Sequence, residues 1–284
     1  MKRLVSFLVG LSFCFNIEAA FIGQKDLNLE ISKGNVPSHA GVNKFGRAPT
    51  GVQTTITDIW DRADATPTQQ KWTAPTAARV HAIVSTDIDD SDTGGANPQS
   101  TGSRTIRVWG LATWGTAESS EDITLDGTTA VNTSASYVII HRMKVLTAGG
   151  SATNEGTLTA TAATDGTVTA QINIGEGQTQ MAIYGVPSTH TFYLTCYYVS
   201  INKAQGAVAA VNINLLVNED ANTDVDLFIV KHTQGVQSTG TGWIRQCYTP
   251  YFKIAGPAII KISGTASAAD VEASAGFDGI LVTN

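Results

Sequence analysis

Charge is scarce in this chain. Asp, Glu, Lys and Arg make up 15% of its 284 residues, against about 25% in an average globular protein. No Lys/Arg run occurs, and the formal net charge is -6. The clustered cations that neutralise a phosphate backbone are therefore missing, which argues against a nucleic-acid partner. The longest apolar stretch, Leu4 to Phe15, is shorter than the roughly 20 residues a membrane span needs. Catalytic signatures are missing too: there is no Gly-x-Ser-x-Gly elbow, His-Glu-x-x-His, paired Cys-x-x-Cys or Gly-Lys-Ser/Thr phosphate loop. The five histidines, His39, His81, His141, His190 and His232, have no metal-ligand spacing. Neither enzyme activity nor a cofactor is expected. Of three cysteines, Cys14 lies in the apolar start, while Cys196 and Cys247 are expected as free, buried thiols. A disulfide between those two requires neighbouring Cβ atoms.

What the chain does have is alternation. From about Val80 onward, short runs carry Thr, Asn and Gln on one side and Val, Ile, Leu and Ala on the other. Thr167 to Ile174 has the cleanest period of two. Asp126-Gly127 and Asp165-Gly166 supply the positive φ angles of tight turns and predict hairpins over 123–131 and 157–174. Further strands are predicted at Val80–Ser85, Arg104–Leu111, Tyr137–Leu146, Met181–Val186, Phe192–Ser200, Val208–Val217, Val225–Val230, Ile259–Ile262 and Gly279–Val282. No helical stripe exceeds two turns. The pattern predicts an all-β body, a β-sandwich or jelly roll over residues 76–284 with two sub-sandwiches as one variant.

Two segments precede that body. Residues 1–20 place Lys2 and Arg3 before an apolar core, in the manner of a secretory signal, but the cleavage region Ile17-Glu18-Ala19-Ala20 puts Glu18 where a small neutral side chain is wanted. A true signal, an apolar docking arm and a start-site extension all fit it. Residues 21–75 are rich in Gly and Pro and lack a sustained period, so an extended N-terminal arm is expected there, with Trp60 as its anchor.

Two acidic loops offer oxygen ligands: 87–92, with Asp87, Asp89 and Asp92 as calcium candidates, and 218–226. The first has no EF-hand glycine or twelfth-position acid, and solvated turns explain both. Gly175-Glu176-Gly177 lacks the third glycine of a dinucleotide fingerprint and leads into a strand, so it reads as a loop. Asn132-Thr133-Ser134 is a sequon with meaning only in a eukaryotic secretory route. Trp60, Trp72, Trp109, Trp114 and Trp243 suit core packing better than a sugar-stacking platform.

Several segments resemble a family of virion structural proteins of tailed, often marine, phages. They are Val36-Pro37-Ser38-His39-Ala40-Gly41-Val42-Asn43-Lys44-Phe45-Gly46-Arg47, Asp58-Ile59-Trp60-Asp61, Ile106 to Leu111, Leu125 to Val131, Gly175 to Pro187 and the closing Ala275-Gly276-Phe277-Asp278. The resemblance covers roughly residues 34 to 284. It implies a non-enzymatic particle component located in the virion, such as a capsid decoration, head fibre or tail protein. The expected partners are a major capsid protein or a neighbouring appendage protein, and further copies of the chain in a symmetric homo-oligomer, for which a trimer is one choice. Under it, Val42, Asn43, Lys44, Phe45, Gly46, Arg47 and Trp60 form the docking arm. Relatives start near the Gly-Pro segment, so the first twenty residues depart from the pattern. A secreted adhesin or carbohydrate-binding module is the main rival, and a β-sandwich hydrolase using paired carboxylates a weaker one.

Overall fold

A computed structural model describes residues 26–64, 69–92, 100–203, 209–238 and 242–284. The signal-like segment 1–20 lies outside them, as do 93–99 of the loop after Asp92. Among the described residues the chain is all-β apart from a short helix, α1 (Leu27–Ser32), capped by the Asp26 carboxylate, and one 3-10 turn at Asp61–Asp64.

Residues 81–172 build two antiparallel sheets by themselves. The first has the order β6 (Val131–Asn132), β3 (His81–Ser85), β8 (Leu158–Ala162), β9 (Val168–Ile172). The second has the order β5 (Ser119–Thr124), β4 (Ser103–Leu111), β7 (Ile139–Ala148). The hairpin across Asp165-Gly166 forms as the turn chemistry predicts, with Leu158 opposite Ile172. The one across Asp126-Gly127 does not. Gly127 has the expected positive φ of 59°, but β5 pairs β4 and β6 pairs β3, so this turn hands the chain between sheets.

The other two sheets join the chain's beginning to its end. One has the order β1 (His39–Val52), β16 (Val271–Thr283), β11 (His190–Lys203), β14 (Trp243–Ala255). The other has the order β10 (Ile183–Val186), β15 (Ala258–Ala266), β12 (Ala209–Asn218), β13 (Ile229–Ser238), with β2 (Thr57–Asp58) added beside β15. The two sheets meet where the Tyr197 hydroxyl contacts His232 Nδ1. One continuous apolar core, from Ile83 and Ile106 to Phe192, Ile260 and Phe277, runs through all four sheets.

Three expectations need correcting. Residues 34–61 are extended, but they are not an arm separate from the body. From His39 to Ala48 every residue of β1 pairs with β16, and Ile59 and Trp60 are fully buried in the core. The Gly-Pro content that suggested an unanchored segment serves close packing instead. A Cβ at Gly46 would run into the backbone of Ile59 and Ala182, and one at Gly276 into Lys44 and Tyr198. The boundary between an arm at 21–75 and a body from 76 therefore does not mark a structural division. Second, Cys196 and Cys247 are not free thiols. They are cross-strand partners on β11 and β14, their Cα atoms 4.0 Å apart, and form a disulfide. Third, the polar side of β9 does not face water. Thr169 and Gln171 are buried, and the Trp72 indole donates to the Thr169 carbonyl while Arg62 donates to the Gln171 amide oxygen.

Candidate functional site

A cleft of about 560 Å³ lies where β1 crosses β7 and β4. Asn43, Lys44 and Phe45 line it from β1, Trp109 from β4, His141 and Arg142 from β7, and Gln178, Thr179 and Tyr184 from the stretch entering β10. Three of the segments that carry the resemblance thus converge here, although they lie far apart in the chain.

Strand alternation sorts these side chains. On β1, Asn43 and Phe45 point to solvent, while Lys44 and Gly46 point inward. The buried Lys44 ammonium donates to the His141 carbonyl at 2.5 Å, fastening β1 to β7. The His141 ring is buried at 4.7 Å from the Tyr184 ring, and its Nε2 lies 2.5 Å from a Glu118 carboxylate oxygen. Glu118 thus holds the proton on Nε2 and leaves a lone pair on Nδ1, which is buried without a partner. Burial lowers the Lys44 pKa to about 7, against the opposing pull of Glu118, and burial likewise lowers that of His141. Outside this cluster, the Arg142 guanidinium sits over the Trp109 ring at 4.8 Å.

Converging Lys, His, Glu and Tyr side chains are the inventory of acid–base chemistry, and the alternation pattern did not reveal them. Their access argues otherwise. The one free basic atom, His141 Nδ1, is sealed from solvent, and Lys44 spends a hydrogen bond holding two strands together. The arrangement works as a latch between the chain's first strand and the 81–172 sheets. Its solvent-facing groups are Glu118, Arg142, Asn43 and Phe45.

The remaining candidates scatter. Of the calcium candidates, Asp87 and Asp89 come together with Glu155, ligand atoms within 4.8 Å of one another, while exposed Asp92 is not among them. Their loop is organised by Asp90, which was not singled out from sequence. Asp90 is buried and accepts from the backbone N–H groups of Ser103, Glu155 and Gly156 and from the hydroxyls of Ser85 and Ser103. In the second acidic loop the Asn218 side chain accepts from Asp220 N–H and donates to the Asp224 carbonyl, an ordinary turn closure. Among the docking-arm residues, Arg47 pairs with Glu272 and with Glu176, the latter at 3.6 Å, and only Asn43 and Phe45 are exposed. The five tryptophans form no common platform: Trp60 and Trp72 are core, whereas Trp243 is 77% exposed.

No protein-family model and no curated protein matches the chain. Among solved structures, it is similar at 9% identity to the VP2 subviral particle of infectious bursal disease virus, over 86% of this chain and 72% of that one, with a TM-score of 0.16. It is similar at 10% identity to the Gt strain structure of the same virus, over 87% and 72%, with a TM-score of 0.17. Scores this low carry no argument about this chain.

Proposed function

We propose that the chain is a non-enzymatic structural component of a tailed-phage particle, a capsid-surface protein of the decoration or head-fibre kind. It docks on a major capsid or appendage protein and assembles with copies of itself. The observation that carries this reading is a set of large apolar side chains on and beside the outermost strands β13 and β14. Trp243 is 77% exposed, Leu227 56%, Val230 52%, Tyr251 48% and Ile229 45%. The two strands abut through His232 against Tyr248 and Gln234 against Gln246. Large apolar side chains left exposed along the edge strands of two sheets mark contact surfaces more often than they serve a lone monomer. The segments of the resemblance support the same reading, because they serve construction: Asn43 to Gly46 lie in register with Asp278 to Ala275.

Peptide mass spectrometry of purified particles from an infected culture tests it. The reading expects the chain in fixed ratio to the major capsid protein. A chain found only in particle-free medium overturns it.

The disulfide favours a second reading, a secreted β-sheet binding module, since cross-strand disulfides persist in oxidising compartments. Exported, particle-free chain whose N-terminus begins at Ala20 or Phe21 would support it.

A further inference from the structure

We propose that Lys261 and Asp58 join in an intramolecular isopeptide bond, formed by the folded chain without any other reactant. The Lys261 Nζ lies 2.8 Å from Asp58 Oδ2, one covalent bond away from the carbon it would attack. Lys261 is 6% exposed and Asp58 0%, so the pair is held away from the water that would hydrolyse or solvate it. The topology fixes the approach. β2 pairs antiparallel with β15, Asp58 stands directly opposite Ser263, and Lys261, two residues along, projects from the same face. The Phe228 ring caps the amine at 4.0 Å.

Two buried groups in this spot have no hydrogen-bond partner, Asp58 Oδ1 and Ser263 Oγ. A carboxylate kept only for an ion pair is expected to satisfy both its oxygens. Here Oδ2 accepts from Lys261 and from the Trp72 N–H at 2.7 Å, while Oδ1 is left idle. That asymmetry suits a carboxyl group with one oxygen to keep and one to lose. Burial also raises the Asp58 pKa against the pull of Lys261, which favours a neutral acid.

The step balances as a dehydration. A proton passes from the Lys261 ammonium to the Asp58 carboxylate, giving neutral amine and neutral acid. The Nζ lone pair attacks Cγ, and the Trp72 N–H holds the oxygen that bears the developing charge. The proton already transferred and a second one from the amine both end on Oδ1, while Oδ2, held by Lys261 and the Trp72 N–H, is the oxygen retained. Oδ1 then leaves as water and the Nζ–Cγ amide remains, with nothing oxidised or reduced.

Peptide mapping of the reduced, purified full-length chain tests this. The expected result is a branched peptide joining the segments around residues 58 and 261, about 18 Da lighter than their sum, with no tryptic cut after Lys261. Lys261→Arg should return residue 58 to an unbranched peptide of full mass. Linear peptides for both segments in the natural chain, with cleavage after Lys261, overturn the proposal. That result can be read even if the variant does not fold. It is also independent of the particle reading, since the bond needs only the folded chain.

Discussion

The two halves of the molecule solve the same problem differently. The 81–172 half is assembled from within its own stretch of chain: β8 and β9 meet across a tight turn, β4 collects β5 and β7 on either side, and β3 takes β8 and β6. Its central fastening is Asp90, a carboxylate ringed by neutral donors. The other half closes over long distances, with His39 opposite Val282 and Asp58 opposite Ser263. Its fastenings are paired side chains from remote segments: Asp58 with Lys261, Arg47 with Glu272, and Cys196 with Cys247. Long-range closure costs more chain entropy, and here it draws on charge and covalent bonds.

The sharpest way to break this contrast is to remove each half's carboxylate. Asp90→Ala strips three backbone N–H groups of their acceptor at once. With about 1–3 kcal/mol per orphaned donor, a loss of about 5 kcal/mol is expected in urea denaturation. Asp58→Ala removes both the ion pair and the amide proposed above and leaves the Lys261 ammonium buried and uncompensated, with an expected loss of at least about 3–5 kcal/mol. The two variants should also differ in kind. Hydrogen exchange should rise first in β3, β4 and β8 for Asp90→Ala, and first in β2 and β15 for Asp58→Ala. Identical exchange patterns would mean that the halves unfold as one unit and that the contrast has no energetic meaning.

Acid should weaken the 81–172 half below about pH 6.5. Burial lowers the His81 pKa to about 4, opposed by the Arg79 carbonyl, and burial lowers that of His141. In the unfolded chain both protonate near 6.5. Between pH 6.5 and 4 the unfolded state therefore binds more protons, and stability falls as pH falls through that window. His81 alone accounts for roughly 3 kcal/mol by pH 4. Denaturation midpoints measured from pH 7 to 4 should slope downward, and His81→Asn should make the slope shallower. A flat profile would show that His81 is charged in the native state.

The fold class was legible because alternation records which side of a strand meets the core, as β3, β4 and β8 show, whereas β15 is buried on both faces. β1 and β14 escaped for physical reasons. β1 pairs through one edge and packs closely at Gly46, where a side chain would meet the Ile59 and Ala182 backbone, so a glycine stands where a branched side chain would signal a strand. β14 is an edge strand whose side chains are mostly exposed, and it carries Pro250, which reads as a break. The latch was illegible for another reason. Lys44, Glu118 and His141 belong to separate segments, and only the pairing of β1 with the C-terminal strand brings Lys44 under β7. Partner choice across 97 residues leaves no mark in local periodicity. The disulfide was missed likewise, since Cys196 and Cys247 gain their proximity from the register of β11 against β14.

The smallest expected change in stability belongs to Trp243→Ser, and it bears most directly on what the long-range half is for. Trp243 opens the edge strand β14 with 77% of its surface exposed, so its replacement should shift the unfolding free energy by no more than about 0.5 kcal/mol. If the edge of β13 and β14 exists to meet another copy or a capsid neighbour, the same substitution should lower the assembled fraction seen by light scattering and the copies retained on particles. A surface that costs nothing to change in the isolated chain and much in the assembly is maintained for a partner. A Trp243→Ser chain that assembles and incorporates at the natural level would return this edge to ordinary exposed strand, and the reason for anchoring it with a disulfide would have to lie within the monomer.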